Sequence, residues 1–194
     1  MTSKDDDELN RLVHRGQPRS AAMDADTGKL IKEFEVTQAE ISQKADDWCR
    51  GIESIPPSLM PTWDYDPDHI YLAYDSSDPE QCDASDYVRI EVEVAAVHSQ
   101  LHSYAVRDEG PWHEEFRDCS CEIVYRWAHN LPVTPPVLEE VEGRTNIKGG
   151  MHRYHLAQYL GVERMPFYVL KSEIDQVRKL LPDATLCWVG AEAS

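Results

Sequence analysis

Positive charge is scarce in this chain of 194 residues: 19 lysines and arginines stand against 36 aspartates and glutamates, a formal net charge of −17. So acidic a surface argues against nonspecific binding to a DNA backbone. No run of about 18 apolar residues occurs, so no membrane-spanning helix is expected. The first 25 residues are polar and acidic, and no secretory signal is expected there. The chain also lacks C-x-x-C spacing. Its five cysteines (Cys49, Cys82, Cys119, Cys121, Cys187) make an odd number, Cys119-Ser120-Cys121 is too tight for a finger pair, and reduced thiols in a cytoplasmic protein are the expectation. Internal repeats and low-complexity tracts are missing as well. The length suits one core and leaves little for a second.

The charge is uneven. Residues 1–95 hold 9 basic and 22 acidic side chains, a net of −13, while residues 96–194 hold 10 and 14, a net of −4. Within 143–181 the balance reverses, with 7 basic residues (Arg144, Lys148, Arg153, Arg164, Lys171, Arg178, Lys179) against 3 acidic ones. Such a strip can hold an anion, DNA included, while the remaining surface repels bulk nucleic acid. The alternative is clustering on solvated helix faces.

Patterning predicts a mixed α and β chain. Residues 1–20 read as a frayed acidic tail and 21–194 as a single domain with an N-terminal extension. A strand is expected at 30–36, and Thr37-Gln38-Ala39-Glu40 is a capping box for a helix to about Arg50. Prolines 56, 57, 61 and 67 mark a rigid loop. Ile70 to Tyr74 reads as a short strand, and Tyr87 to Val94 alternates as a strand should. Helices are expected over 95–103, 112–129 and from a Ser172 cap to Leu181. Val137 to Val141 and Thr145 to Ile147 form a hairpin, and 184–189 adds a last strand. The class is α+β with a mixed sheet flanked by helices.

The densest signal is Lys148-Gly149-Gly150-Met151-His152-Arg153-Tyr154. It follows an extended segment and opens a helix that stops at Gly161, before a strand starting near Pro166. A Gly-Gly turn into a helix directs backbone N–H groups and the positive dipole end outward, a seat for phosphate that Arg153 can grip in two places.

Gly150-Met151-His152-Arg153, Gly161 and Pro166-Phe167-Tyr168-Val169 resemble the core of the ParB/sulfiredoxin superfamily, over about 35 residues within 135–170. Gly149 to Tyr154 is especially similar to the sulfiredoxin signature Gly-Gly-Cys-His-Arg-Tyr. Met151 replaces the reactive cysteine, and a thioether cannot supply the thiolate of sulfinic-acid repair. ParB partition proteins add a helix-turn-helix region after this core, whereas here 25 residues follow Val169. The order of segments from Val88 onward is similar to that of plasmid fertility-inhibition factors of the Osa type. That resemblance implies hydrolysis of ATP or a related nucleotide, DNA cleavage with Mg²⁺ or Mn²⁺, and a block on DNA export through type IV secretion, with a coupling ATPase as a further partner.

In that reading Lys148, Gly149, Gly150, Met151, His152 and Arg153 bind the nucleotide phosphates, and His152, Arg153, Glu139 and Glu140 are catalytic. Arg153 would clamp phosphate and steady developing charge; alternatively it pairs with Glu139 or Glu140 while His152 caps the helix. Neighbours on a strand point to opposite faces, so only one of Glu139 and Glu140 can approach the seat and hold a metal. The other possibility for both is an edge strand kept soluble by charge. His98 and His102 have metal-capable helical spacing, but ordinary surface or core histidines are the simpler reading, and His155 reads as packing. Arg107-Asp108 can close over a ligand, and Trp63 or Tyr65 can stack a base. A competing function is a non-catalytic acidic protein, a DNA mimic or nucleotide sensor, that inhibits a DNA-translocating ATPase or another nucleic-acid enzyme.

Overall fold

The computed structural model describes residues 40–74 and 82–187. Helix α1 occupies 40–49 of the described chain. Then come a 3₁₀ helix (Pro67–Ala73), β1 (Tyr87–Glu93), α2 (Val94–Gln100), α3 (Glu114–Ala128), β2 (Val137–Val141), β3 (Arg144–Gly149), α4 (Met151–Tyr159), β4 (Arg164–Leu170), α5 (Ile174–Leu180) and β5 (Thr185–Cys187). The described residues form an α+β architecture around a mixed five-stranded sheet of order β3-β2-β4-β1-β5. β1 runs antiparallel to β4 and β5, β2 antiparallel to β3, and β2 meets β4 in parallel at Val137 and Tyr168.

The alternation in β1 has its expected effect. Val88, Ile90 and Val92 are buried and join Met165, Phe167 and Val169 of β4 in the main core. Val97 of α2, Tyr154 and Ala157 of α4 and Val177 of α5 close it. The opposite register of β1 and β4 supplies Tyr87 and Tyr168, which pack with Ile70, Ala73 and Val137 in a second cluster. β4 is thus buried on both faces, which accounts for its continuous apolar run. Pro166 lies inside this central strand. Tyr168 N–H donates to Pro136 O at 2.9 Å; two residues earlier the same edge has passed the single β2 pairing, so the N–H that proline lacks is not needed.

A third cluster joins Val124 and Trp127 of α3 to Leu156 of α4 and to Ile55 and Leu59 of the proline loop. The loop is tied down by Trp127 Nε1–H, which donates to Thr62 O at 3.2 Å, and by Trp63, edge-on to Trp127 at 5.5 Å.

Several expectations need correction. The strand at 70–74 is the second half of the 3₁₀ helix. Pro67 opens it, His69 N–H bonds Asp66 O at 2.9 Å, and Ile70 and Ala73 bury at i, i+3 while Leu72 is exposed. The helix assigned to a Ser172 cap has Glu173 at that position instead, without a side-chain cap. Cys49 and Cys121, 72 residues apart, are joined as a disulfide between α1 and α3, so free thiols at all five cysteines is wrong; Cys82, Cys119 and Cys187 are free. The tail, the strand at 30–36 and Thr37 lie outside the described residues. No helix among the described residues is long and apolar enough to cross a membrane.

Candidate functional site

The start of α4 has the backbone that the glycines predict. Gly150 is the N-cap, left-handed at φ 80°, ψ 29°, and Tyr154 N–H closes the first turn on its carbonyl at 3.1 Å. The glycines also admit close neighbours. A Cβ on Gly149 would stand 2.4 Å from Ala73 O, and one on Gly150 would stand 3.0 Å from the Arg153 guanidinium and from Pro136 Cα. The space beside the turn is therefore filled by the end of the 3₁₀ helix and by Arg153.

Arg153 is 6% exposed. Its Nη1 donates to Thr134 O at 2.7 Å and its Nη2 to Ala73 O at 3.0 Å, while Thr134 Oγ1 donates to His69 O at 3.2 Å. These bonds make Arg153 a strut between α4, the 3₁₀ helix and the approach to β2. Glu139 and Glu140 are not among its partners.

His152 faces the other way and is half-buried. Its Nδ1 lies 3.3 Å from Arg107 Nη1, and the Arg107 guanidinium sits 4.1 Å above the Phe116 ring. Phe116 and His152 meet edge-on at 6.1 Å. Arg107, anticipated as part of a closing loop, is therefore brought to the first turn of α4 by the segment after α2 and steadied by an aromatic ring from α3. A guanidinium, an imidazole and a helix N-terminus converge there, a combination that attracts a phosphate.

Behind them, His155 is buried and its Nε2 lies 3.1 Å from Ala105 O. Burial first, and then the Arg107 charge, push its pKa down to about 4. The ring is neutral near pH 7 and packs, as expected. His98 and His102 do not share a site. α2 ends at Gln100, so the assumed helical spacing is broken: His98 Nδ1 contacts Gln158 Nε2 at 2.9 Å, whereas His102 stacks on Tyr104 and lies 3.7 Å from Glu142.

The strand carboxylates separate as the pleat requires. Glu140 accepts from Gly143 N–H in the hairpin turn. Glu139 accepts from Asn146 Nδ2 at 2.8 Å and pairs with Lys148 Nζ at 3.1 Å. Burial is the largest single influence on Lys148 and lowers its pKa, but the bond and charge of Glu139, with the Tyr74 and Glu173 groups, together outweigh it and the net direction is up. Burial raises the pKa of Glu173 beside this pair. Among the described residues no group of three or more His, Cys, Asp or Glu is set for a metal ion.

Four of the seven residues of the basic strip are engaged by the protein itself. Arg153 is buried, Lys148 is on Glu139, Arg164 donates to Glu91 O at 2.9 Å, and Lys171 bonds Ser85 O. Arg164 and Lys171 flank the length of β4, about 20 Å apart at strand rise. Trp63 is a packing residue, while Tyr65 is 43% exposed beneath Arg89 at 3.9 Å.

Sequence reasoning passed over one cluster: Asp64, Asp66 and His69, where His69 bonds the Asp64 carboxylate and lies 3.9 Å from Asp66. The run Asp64-Tyr65-Asp66-Pro67-Asp68-His69 was its visible signal. No protein-family model, no curated protein and no solved structure matches the chain.

Proposed function

We propose that the chain binds a nucleotide through its phosphates at the start of α4, as a ParB/sulfiredoxin-like domain acting as a plasmid fertility-inhibition factor that restrains DNA transfer through type IV secretion. One observation carries the reading: Arg107 and His152 meet 3.3 Å apart at the N-terminus of a nine-residue helix whose N-cap is a left-handed glycine. The order hairpin, Gly150, α4, Gly161 and a β4 parallel to β2 supports the family resemblance. Arg153 builds the seat, and Arg107 with His152 makes the contact.

The donor set bears on the chemistry. A divalent cation at Glu139 has to displace the Lys148 ammonium, and Glu140 is committed to its turn. Glu139 and Glu140 therefore do not fit Mg²⁺ or Mn²⁺ well, and no hydrolytic step is routed through them. This pairing favours the second reading, a nucleotide sensor that inhibits a DNA-translocating ATPase by binding, over a nuclease built on these carboxylates. The test combines ATP binding to the full chain with ATP turnover and plasmid nicking, with Mg²⁺ or Mn²⁺ and with chelator. ATP binding that Arg107→Ala weakens at least tenfold is expected, without chelator-sensitive turnover. Turnover and nicking lost in Glu139→Gln would restore the enzyme; equal ATP affinity in Arg107→Ala would overturn the seat.

A further inference from the structure

A buried polar network lies behind the seat, centred on His155. The ring is 6% exposed and presents both nitrogens to carbonyl oxygens. Nε2 lies 3.1 Å from Ala105 O, and Nδ1 lies 3.3 Å from Gln158 Oε1. The rest of the network fixes which end of the Gln158 amide faces the ring. Gln158 Nε2–H donates to His98 Nδ1 at 2.9 Å, and the hydroxyl of the buried Tyr154 donates to the same nitrogen at 3.4 Å. Turning the amide would demand a proton on His98 Nδ1 and would take away the acceptor of the Tyr154 hydroxyl. Gln158 therefore offers its oxygen to His155. A neutral imidazole carries one N–H and one lone pair, so it satisfies only one of the two oxygens, whereas an imidazolium satisfies both. Burial opposes the second proton, as do the Arg107 guanidinium from the segment after α2 and His152 on α4. His98 of α2 faces the ring through Gln158, and Tyr154 meets it edge-on at 5.0 Å. The surroundings are shaped for a cation, and the neighbouring charge keeps the ring neutral.

We propose that a phosphate bound by Arg107 and His152 draws a proton from solvent onto His155, so that filling the seat and charging this ring are one coupled event. The inference rests on the phosphate reading of the seat and adds its regulation. A phosphate beside Arg107 offsets the charge that disfavours the imidazolium, and the oxygens of Ala105 and Gln158 then accept both N–H groups. Linkage makes the coupling reciprocal: the imidazolium favours the phosphate by the factor with which the phosphate favours the proton. With the seat empty, a pKa of about 4 leaves the ring neutral at pH 5. Once ligand raises that value, protons are taken up on binding, and affinity rises as pH falls from 7.5 to 5. The charged ring also bonds Ala105 O more strongly. Ala105 stands two residues before Arg107, so the same proton stiffens the segment that carries the guanidinium.

The test uses the full chain, with ATP in chelator as the probe. Imidazole ¹⁵N spectra of the parent follow the His155 titration with and without saturating ATP, and need no variant. ATP should move the midpoint up by roughly one pH unit or more. Calorimetry then gives ATP affinity at pH 7.5 and at pH 5 for the parent and for His155→Gln. The titration of ATP itself is common to both, so a difference between them belongs to His155. The gain in affinity on going to pH 5 should be about twofold or more larger in the parent. Gln158→Leu, which removes one of the two oxygens, should shrink the movement of the midpoint. Circular dichroism at both pH values checks the fold. A His155 midpoint that bound ATP leaves in place overturns the coupling, while ATP binding that Arg107→Ala weakens keeps the seat. Equal pH dependence in the parent and in His155→Gln has the same meaning. Absence of ATP binding at either pH removes the seat and the coupling together.

Discussion

Two arginines reach the start of α4 from opposite sides and do different work. Arg153, inside the glycine motif, is buried and spends its hydrogen bonds on the carbonyls of Thr134 and Ala73. Arg107, 45 residues upstream of His152, is half-buried, stacks on Phe116 and meets His152 at the surface of the turn. On the proposed reading, the motif marks the framework of the seat, and a loop remote in sequence supplies the contact. Adjacent helix positions such as His152 and Arg153 differ by about 100° around the axis, enough to place one outside and the other in the core.

The largest effect that can break this comparison is the loss of Arg153. The sequence alone predicts that Arg153→Ala folds normally and only loses nucleotide affinity. The structure reverses that order. Removing a buried guanidinium strands two carbonyls and leaves a cavity, and bonds from charged donors are each worth about 1.5–3 kcal/mol. Arg153→Ala should lose about 3 kcal/mol or more in urea unfolding, with ATP affinity falling only as the fold loosens. A variant as stable as the parent would show that Arg153 is no strut.

His155 tests the electrostatic side of the same corner. Its pKa is about 4 in the folded chain, against about 6.5 unfolded. Between these values the unfolded chain binds a proton that the folded chain refuses, so stability rises with pH there. The penalty is absent above pH 6.5 and reaches at most about 3 kcal/mol as pH falls to 4. Urea midpoints at pH 7.5 and 5 should reveal it, and His155→Gln should flatten the slope. Because Arg107 contributes to the depression, Arg107→Ala should move the His155 titration upward in an NMR series.

Arg107→Ala is the direct counterpart of the first substitution. Its expected signature is a loss of roughly 10- to 100-fold in ATP affinity, the worth of one charge-assisted contact, with less than about 1 kcal/mol of stability lost from its stacking on Phe116. If Arg107→Ala destabilises the fold as much as Arg153→Ala, the division of labour fails.

How much of this was legible in the sequence depends on range. β1, the β2–β3 hairpin, α4 and β4 followed from period and turn chemistry, because each is specified by residues within a dozen positions of one another. Ile70 to Tyr74 misled because five apolar or aromatic residues fit a strand as well as a 3₁₀ turn, and only the burial of Ile70 with Ala73 decides. The roles of Arg153 and Gly149 depend on carbonyls 76 to 80 residues away, and the Cys49–Cys121 pair spans 72. No local pattern encodes such contacts. Glu139 and Glu140 were correctly expected to part across the pleat, but their partners, Lys148 with Asn146 and Gly143, came only with the register of the hairpin.

The smallest expected effect concerns Tyr168 and contrasts the two faces of β4. Phe167 packs in the main core with no polar atom to satisfy, while Tyr168 buries a hydroxyl without a partner among the described residues. Burial raises the Tyr168 pKa, so the group is the neutral phenol at any ordinary pH. Deleting an unsatisfied buried hydroxyl without changing the ring is neutral or stabilising, by up to about 1 kcal/mol. Tyr168→Phe should therefore melt at or slightly above the parent temperature. A marked loss of stability would mean that Tyr168 has a protein partner and that this face of β4 is as fully satisfied as the other.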